Sequence, residues 1–362
     1  MRTLILSISS LLLLAIQVNA QQPQPQPVVA VNSHPTANVA ANVVVSSEIN
    51  VQINTKQSVD IQEAEPQKIK TFSKSFAVDK NDKIHLSNEY GAITIKTWDK
   101  NEIKVDAEIK AFANSAAEAQ KLLDHATINA SKTADAVSFI TDIDLKNNWG
   151  FNSKKREVKV YMTVYMPVTN ALSASQEYGN ILMGDYSGAT TLTVEYGALT
   201  TGSLKSSNNV IRVEYGSANI KSVNQAKINT EFGSGITIGS AGALTINAEY
   251  TNVKIGSVKG KTIANIEYSK LTAGDISDSF SVNAEYSTVS LGFNPSFKSS
   301  FSVATNYGSF KYGANISAKR QNAGNEDRYS TNKTYTGDIG KGDNKSGESV
   351  TIRSEYSDII FK

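Results

Sequence analysis

From about Thr71 the chain alternates apolar and polar residues, as in Ile93-Thr94-Ile95-Lys96 and Ile103-Lys104-Val105-Asp106. Period-two alternation marks half-buried strands. One helix is predicted to interrupt them. Ser115 and Glu118 form a capping box, and Ala119, Leu122, Leu123 and Ala126 lie at helical spacing on one apolar face. Strands resume at residues 136–143 and 157–167. Beyond residue 171 the pattern becomes periodic. Leu192, Val194 and Tyr196 share one parity, as do Ile211, Val213 and Tyr215, then Leu244, Ile246, Ala248 and Tyr250, then Phe280, Val282, Ala284 and Tyr286. The opposite parity carries Thr193 and Glu195, Arg212 and Glu214, and Thr245, Asn247 and Glu249. The first set is expected in the core and the second in solvent. Ile263 falls on the outward set and fits this parity poorly.

The period is carried by Glu-Tyr-Gly and its variants, which begin at Glu177, Glu195, Glu214, Glu231, Glu249, Glu267 and Glu285, at spacings of 18, 19, 17, 18, 18 and 18 residues. Outlying copies stand at Glu89-Tyr90-Gly91, Asn306-Tyr307-Gly308 and Glu355-Tyr356-Ser357. A fixed period near 20 residues in a β-rich chain predicts a solenoid, each repeat one coil resting on the last. The aliphatic residue at every sixth position that marks left-handed hexapeptide helices is missing. The expected fold is therefore all-β: a right-handed parallel β-helix of about 18 residues per coil, with an irregular N-terminal cap region containing one short helix. The regions are read as 71–170 for the cap and 171–362 for the solenoid. A polar insertion at 317–346 reads as a loop or small lobe, and the final strand closes the C-terminal end.

Residues 1–20 combine Arg2, an apolar run from Leu4 to Ile16 and Val18-Asn19-Ala20. They read as a secretory signal. Residues 21–70 hold five of the chain's 7 prolines, Pro23, Pro25, Pro27, Pro35 and Pro66. This stretch reads as an extended, disordered tether or as a leader without a role. Nothing later is long and apolar enough to span a bilayer. The expected location is the periplasm, the cell surface or the extracellular space.

Composition narrows the chemistry. With no Cys there are neither disulfides nor thiolate ligands. The formal charge of +2, from 36 basic and 34 acidic residues, makes no electrostatic case for nucleic acid. His34, His85 and His125 occupy unrelated contexts, so neither a His-based metal site nor a catalytic triad is expected. No cofactor is expected, and no catalytic residue can be named.

Two rows remain as candidates. The aromatic row, Tyr178, Tyr196, Tyr215, Phe232, Tyr250, Tyr268, Tyr286 and Tyr307, reads as an interior stacked ladder. Its alternative is an exposed strip that stacks on sugars, which requires the parity to be inverted. The Glu row, Glu177, Glu195, Glu214, Glu231, Glu249, Glu267 and Glu285, reads as carboxylates that cap the following turn. Its alternatives are a stripe for divalent cations and a ligand site. Lys221, Lys254 and Lys270 stand near it without forming a matching basic row. Asp275 with Asp278, and Glu326 with Asp327, are weak acidic pairs of the kind found on solvated loops.

The segments KSFAVDKNDKIHLSNEYGAITIKTWDKNEIKV and KVYMTVYMPVTNALSASQEYGNILMGDYSG, with the serial Glu-Tyr-Gly units, resemble an uncharacterised family of exported bacterial putative adhesins over 71–362. The family is a β-solenoid related in style to the head domains of auto-transporter adhesins. The resemblance implies a cell-envelope protein of Gram-negative bacteria without enzymatic activity, and offers no catalytic residues to carry over. The expected function is a non-enzymatic surface binding or structural module whose partner is an envelope glycan or surface protein. The alternatives are a polysaccharide-active β-helix enzyme and a periplasmic envelope-stress component with a protein partner.

Overall fold

The structure, a computed structural model, describes residues 67–144, 156–321, 331–340 and 347–362. The segment read as a secretory signal, all but the last few residues of the 21–70 stretch, and the Glu326/Asp327 pair lie outside the described residues. What is described is all-β apart from one helix, Ala116–Asp124. The Ser115 hydroxyl accepts the Glu118 N–H at 3.2 Å, which is one arm of the capping box. The Glu118 side chain turns instead to Arg156 at 3.1 Å. Ala119, Leu122 and Leu123 bury the apolar face.

The periodic region is a parallel ladder in strict register. Leu192 sits opposite Ile211, and Glu195 opposite Glu214. Ile228 sits opposite Ile246, and Glu231 opposite Glu249. Each repeat contributes a second, shorter run, as in Val253–Val258, which pairs with Lys270–Ile276. The inward parity is buried as read: Leu192, Val194, Ile211, Val213, Ile246 and Phe280 are all sealed from solvent. Each such aliphatic or aromatic side chain stabilises the fold by about 1.5–3 kcal/mol. Ile263 points outward at 38% exposure, so that rung keeps its backbone register at the expense of one apolar side chain.

Both ends of the ladder depart from sequence order. Near the start, Lys83–Thr97 is already a rung: Glu89 pairs opposite Glu177, with Ala171–Met183 on one side. On its other side run Ala136–Ile143 and Glu157–Met166, also parallel. The outermost pairings there are antiparallel, Lys68–Ala77 with Glu102–Phe112 and Ala126–Lys132 with Ala136–Ile143. At the far end the closing strand is not terminal, contrary to the sequence reading. Ser349–Glu355 slots between Phe280–Glu285 and Ser299–Asn306, parallel to both. Asp358–Phe361 likewise lies between Thr288–Phe293 and Ser309–Tyr312. The described part of the 317–346 insertion is not a detached lobe. Asn332–Ile339 pairs antiparallel with both Ser299–Asn306 and Ile316–Arg320, covering the last parallel strand. Covering an open parallel edge with antiparallel strands removes a template for aggregation.

Candidate functional site

The aromatic row is on the outside, which corrects the interior reading. Tyr178, Tyr196, Tyr215, Phe232, Tyr250, Tyr268, Tyr286 and Tyr307 are 43–56% exposed. The cause is local backbone geometry. Each of these residues, with Tyr90 and Tyr356, has φ between +45° and +55°. One left-handed residue at the end of a strand rotates the next bond out of the pleat, so alternation fails at that single position. In the repeat Ala248-Glu249-Tyr250-Thr251, Glu249 and Tyr250 both face outward and Thr251 returns to the core. Strain of this kind is unusual for a bulky residue and persists only when the surroundings hold it.

Those surroundings are the main-chain ladder, in which Tyr250 N–H donates to the Glu267 carbonyl at 3.1 Å, and the rings themselves. The stack runs Tyr90, Tyr178, Tyr196, Tyr215, Phe232, Tyr250, Tyr268, Tyr286, Tyr356, Tyr307, with centroids 4.8–5.3 Å apart and planes within 12° of parallel. Tyr356 therefore stands between Tyr286 and Tyr307, a neighbour that sequence order hides. Inside the stack each ring gives both faces to other rings, so only edges and hydroxyls meet solvent. That geometry removes the ring faces that a sugar would need, and with them the sugar-stacking strip. Desolvation, followed by charge repulsion from neighbouring phenols and glutamates, raises the phenol pKa of Tyr196 and Tyr268. Tyr356 is raised for the same reasons.

In the second half of the array the turn after the ring is closed by hydroxyls rather than by the Glu carboxylates. Thr251 N–H donates to Ser269 Oγ at 2.8 Å, Ser269 N–H to Ser287 Oγ at 3.0 Å, and Ser287 N–H to Ser357 Oγ at 2.9 Å. The Ser269, Ser287 and Ser357 hydroxyls each donate back to the main-chain oxygen of the Glu two residues earlier, at 2.7 Å. In the first half of the array Gly fills this slot. A Cβ at Gly197 would lie 1.7 Å from the Gly179 carbonyl oxygen, so the backbones there are in closest approach. The expected carboxylate caps on Glu177, Glu195, Glu214, Glu231, Glu249, Glu267 and Glu285 are thus not made.

Two positions before each Glu lies a second column, which the sequence reading missed. Asn247 Nδ2 donates to Asn229 Oδ1 at 2.8 Å, Asn265 to Asn247 at 2.8 Å, and Asn283 to Asn265 at 2.9 Å. Its signal was available as Asn-x-Glu at the same period. Arg212 precedes Asn229 in the column and Arg353 follows Asn283. The Asn and Glu columns form the walls of a groove of about 680 Å³ whose floor is Thr230, Ala248, Ile266, Ala284 and Ser354. Beyond the ring stack a smaller groove of about 410 Å³ runs past Ser269, Ser287, Ser357 and Asp358. The ring stack is thus a ridge between two polar troughs.

Asp185 acts singly. Its carboxylate accepts the Ser203 N–H at 2.8 Å, and that bond, opposed by some desolvation and helped by Lys221 and Lys205, holds its pKa below the usual carboxylate value. Asp275 accepts Asn294 Nδ2 of the next coil at 2.7 Å, and Asp278 accepts the adjacent Ser279 N–H at 2.5 Å, so each has a local structural role. Among the described residues no three His, Cys, Asp or Glu side chains converge in a way that could hold a metal ion. No described helix is long and apolar enough to cross a membrane.

No family model matches the chain, and no curated protein matches it. Among solved structures it is similar to a putative adhesin from Bacteroides fragilis NCTC 9343, at 11% identity and a TM-score of 0.36, over 83% of this chain and 100% of that one. A putative cell adhesion protein from Clostridium sporogenes ATCC 15579 matches at 12% identity and a TM-score of 0.22, over 82% and 99%. A putative lipid binding protein from Parabacteroides distasonis ATCC 8503 matches at 8% identity and a TM-score of 0.34, over 81% and 96%. Likenesses this distant assign neither a family nor an activity.

Proposed function

We propose that this chain is a non-enzymatic exported module of the cell envelope, a right-handed β-solenoid with about 18 residues per coil that binds through its long outer face. The observation that carries this reading is the in-register repetition of outward Asn, Glu and Tyr columns. Catalysis needs a few unlike groups converging on one reacting atom. Here like groups recur along a line, each in the same backbone setting, which suits a long ligand held by many equal contacts. The Pro/Gln-rich composition of residues 21–70, read as a tether, fits presentation of the module away from the membrane.

Two measurements test this. Protease applied to intact cells removes the protein if it is presented at the surface. Protection until the envelope is opened would place it in the periplasm, in line with an envelope-stress component that has a protein partner. Purified protein releases no reducing sugar from a panel of envelope and plant glycans. Release that disappears on replacing Glu326 and Asp327 would establish the polysaccharide-active enzyme instead.

A further inference from the structure

We infer that the groove between the Asn and Glu columns is a binding site for a linear amino-sugar polymer, one sugar unit to each rung. The inference rests on the reading of the outer face as a binding surface and adds the ligand class.

The argument starts from what each rung offers. One wall is a chain of carboxamides with a consistent direction, Asn283 to Asn265 to Asn247 to Asn229. Each inner carboxamide spends one N–H and one lone pair on its neighbours. It keeps another N–H and another lone pair, the pair of functions that holds a sugar hydroxyl. The opposite wall is Glu231, Glu249, Glu267, Glu285 and Glu355. Ionised carboxylates only accept, so the ligand must present a donor at each rung. Aligned like charges repel, and a cationic donor relieves that repulsion where a hydroxyl does not. At the far end of the groove Asn306 Oδ1 is shielded from solvent without a partner, and exposed Arg353 has no hydrogen bond or ion pair among the described residues. Asn306 Nδ2 donates to Glu355 at 3.4 Å and Arg353 is itself a cation, so the stretch of the groove that takes a cationic donor is Glu231 to Glu285.

Spacing separates a glycan from a basic peptide. The rungs repeat at the pitch of the neighbouring rings, 4.8–5.3 Å. An extended peptide presents same-side residues about 6.6–6.8 Å apart. It falls out of step by more than a full rung within four rungs. An extended hexose chain advances by close to one rung per sugar and turns alternate sugars over, so every second amino group meets the Glu wall while the intervening ones meet the Asn wall.

The test is titration of the full-length protein with hexamers of glucosamine, N-acetylglucosamine and galacturonic acid, and with hexalysine. Glucosamine hexamer binds most tightly and weakens with added salt, the acetylated hexamer binds at least about tenfold more weakly, and the uronate does not bind. The paired variants Asn247→Ala/Asn265→Ala and Glu249→Gln/Glu267→Gln each weaken binding by about tenfold or more while keeping the circular dichroism of the parent. Equal binding of hexalysine would reduce the site to bare charge and overturn the inference. So would equal binding of the uronate, unchanged affinity in either variant, or no binding of the glucosamine hexamer by folded protein. Surface presentation is read separately by protease treatment of cells, so failure of this site and failure of the broader function are distinguishable.

Discussion

Phe232 and Tyr250 stack with centroids 5.1 Å apart and planes 8° from parallel, although both hold a left-handed backbone with φ of +50° and +47°. Phe fills the slot as Tyr does, so the hydroxyl is dispensable to the stack. Tyr250→Phe is therefore expected to change unfolding stability by no more than about 0.5 kcal/mol, measured in urea. A larger loss would mean that the hydroxyl carries part of the fold.

Alkaline pH probes the same row from the other side. The phenols of Tyr196, Tyr268 and Tyr356 have raised pKa values in the folded protein, so the native state favours their neutral form. Their contribution is complete below the unfolded tyrosine value of about 10 and is lost as pH rises through the folded values. Melting temperature should fall above roughly pH 10 in step with phenolate absorbance. Replacing the three residues by Phe should remove that part of the fall, and an unchanged alkaline transition would contradict the account.

The slot after the ring is filled in two incompatible ways. Gly197→Ala forces a Cβ into the Gly179 carbonyl and should cost about 3 kcal/mol or prevent folding. Ser287→Ala removes the hydroxyl that accepts Ser269 N–H and donates to the Glu285 main chain, leaving a buried N–H unpaired. That change should cost about 1–3 kcal/mol. Urea midpoints of the two variants provide the check, and a harmless Gly197→Ala would contradict the close approach.

Because the Glu carboxylates do not cap the turns, removing their charge relieves repulsion. Glu214→Gln and Glu249→Gln are each expected to raise stability by about 0.2–1 kcal/mol, less as salt rises. Calcium should leave the melting temperature of the parent unchanged. A concentration-dependent rise that the double variant loses would show a cation stripe.

Much of the fold was legible because a buried strand face writes itself as alternation. Leu192, Val194, Ile211 and Val213 are buried as their parity requires, and the helix follows from Ser115 and the Ala119, Leu122, Leu123 face. The rings were misplaced because one left-handed residue reverses the parity, and Tyr does not announce that conformation as Gly, Asn or Asp can. The small Gly, Ser or Thr after each ring was the available trace of a tight corner. The Tyr286, Tyr356, Tyr307 order was hidden for a different reason: a strand distant in sequence had been inserted between two successive repeats. The Asn column was present at the full period, but polar outward residues carry no burial signal to draw attention to them.

The central structural claim is that a strained, outward ring is held by its neighbours, and Tyr250 tests it through two substitutions. Tyr250→Ala loses stacking with Phe232 and Tyr268, about 1–3 kcal/mol for two pairs, and keeps the left-handed strain. Tyr250→Gly loses the same stacking but relieves that strain, so it should be about 1 kcal/mol more stable than the Ala variant in equilibrium urea unfolding. An Ala variant more stable than the Gly variant, as expected for an interior ring on an ordinary strand, would contradict it.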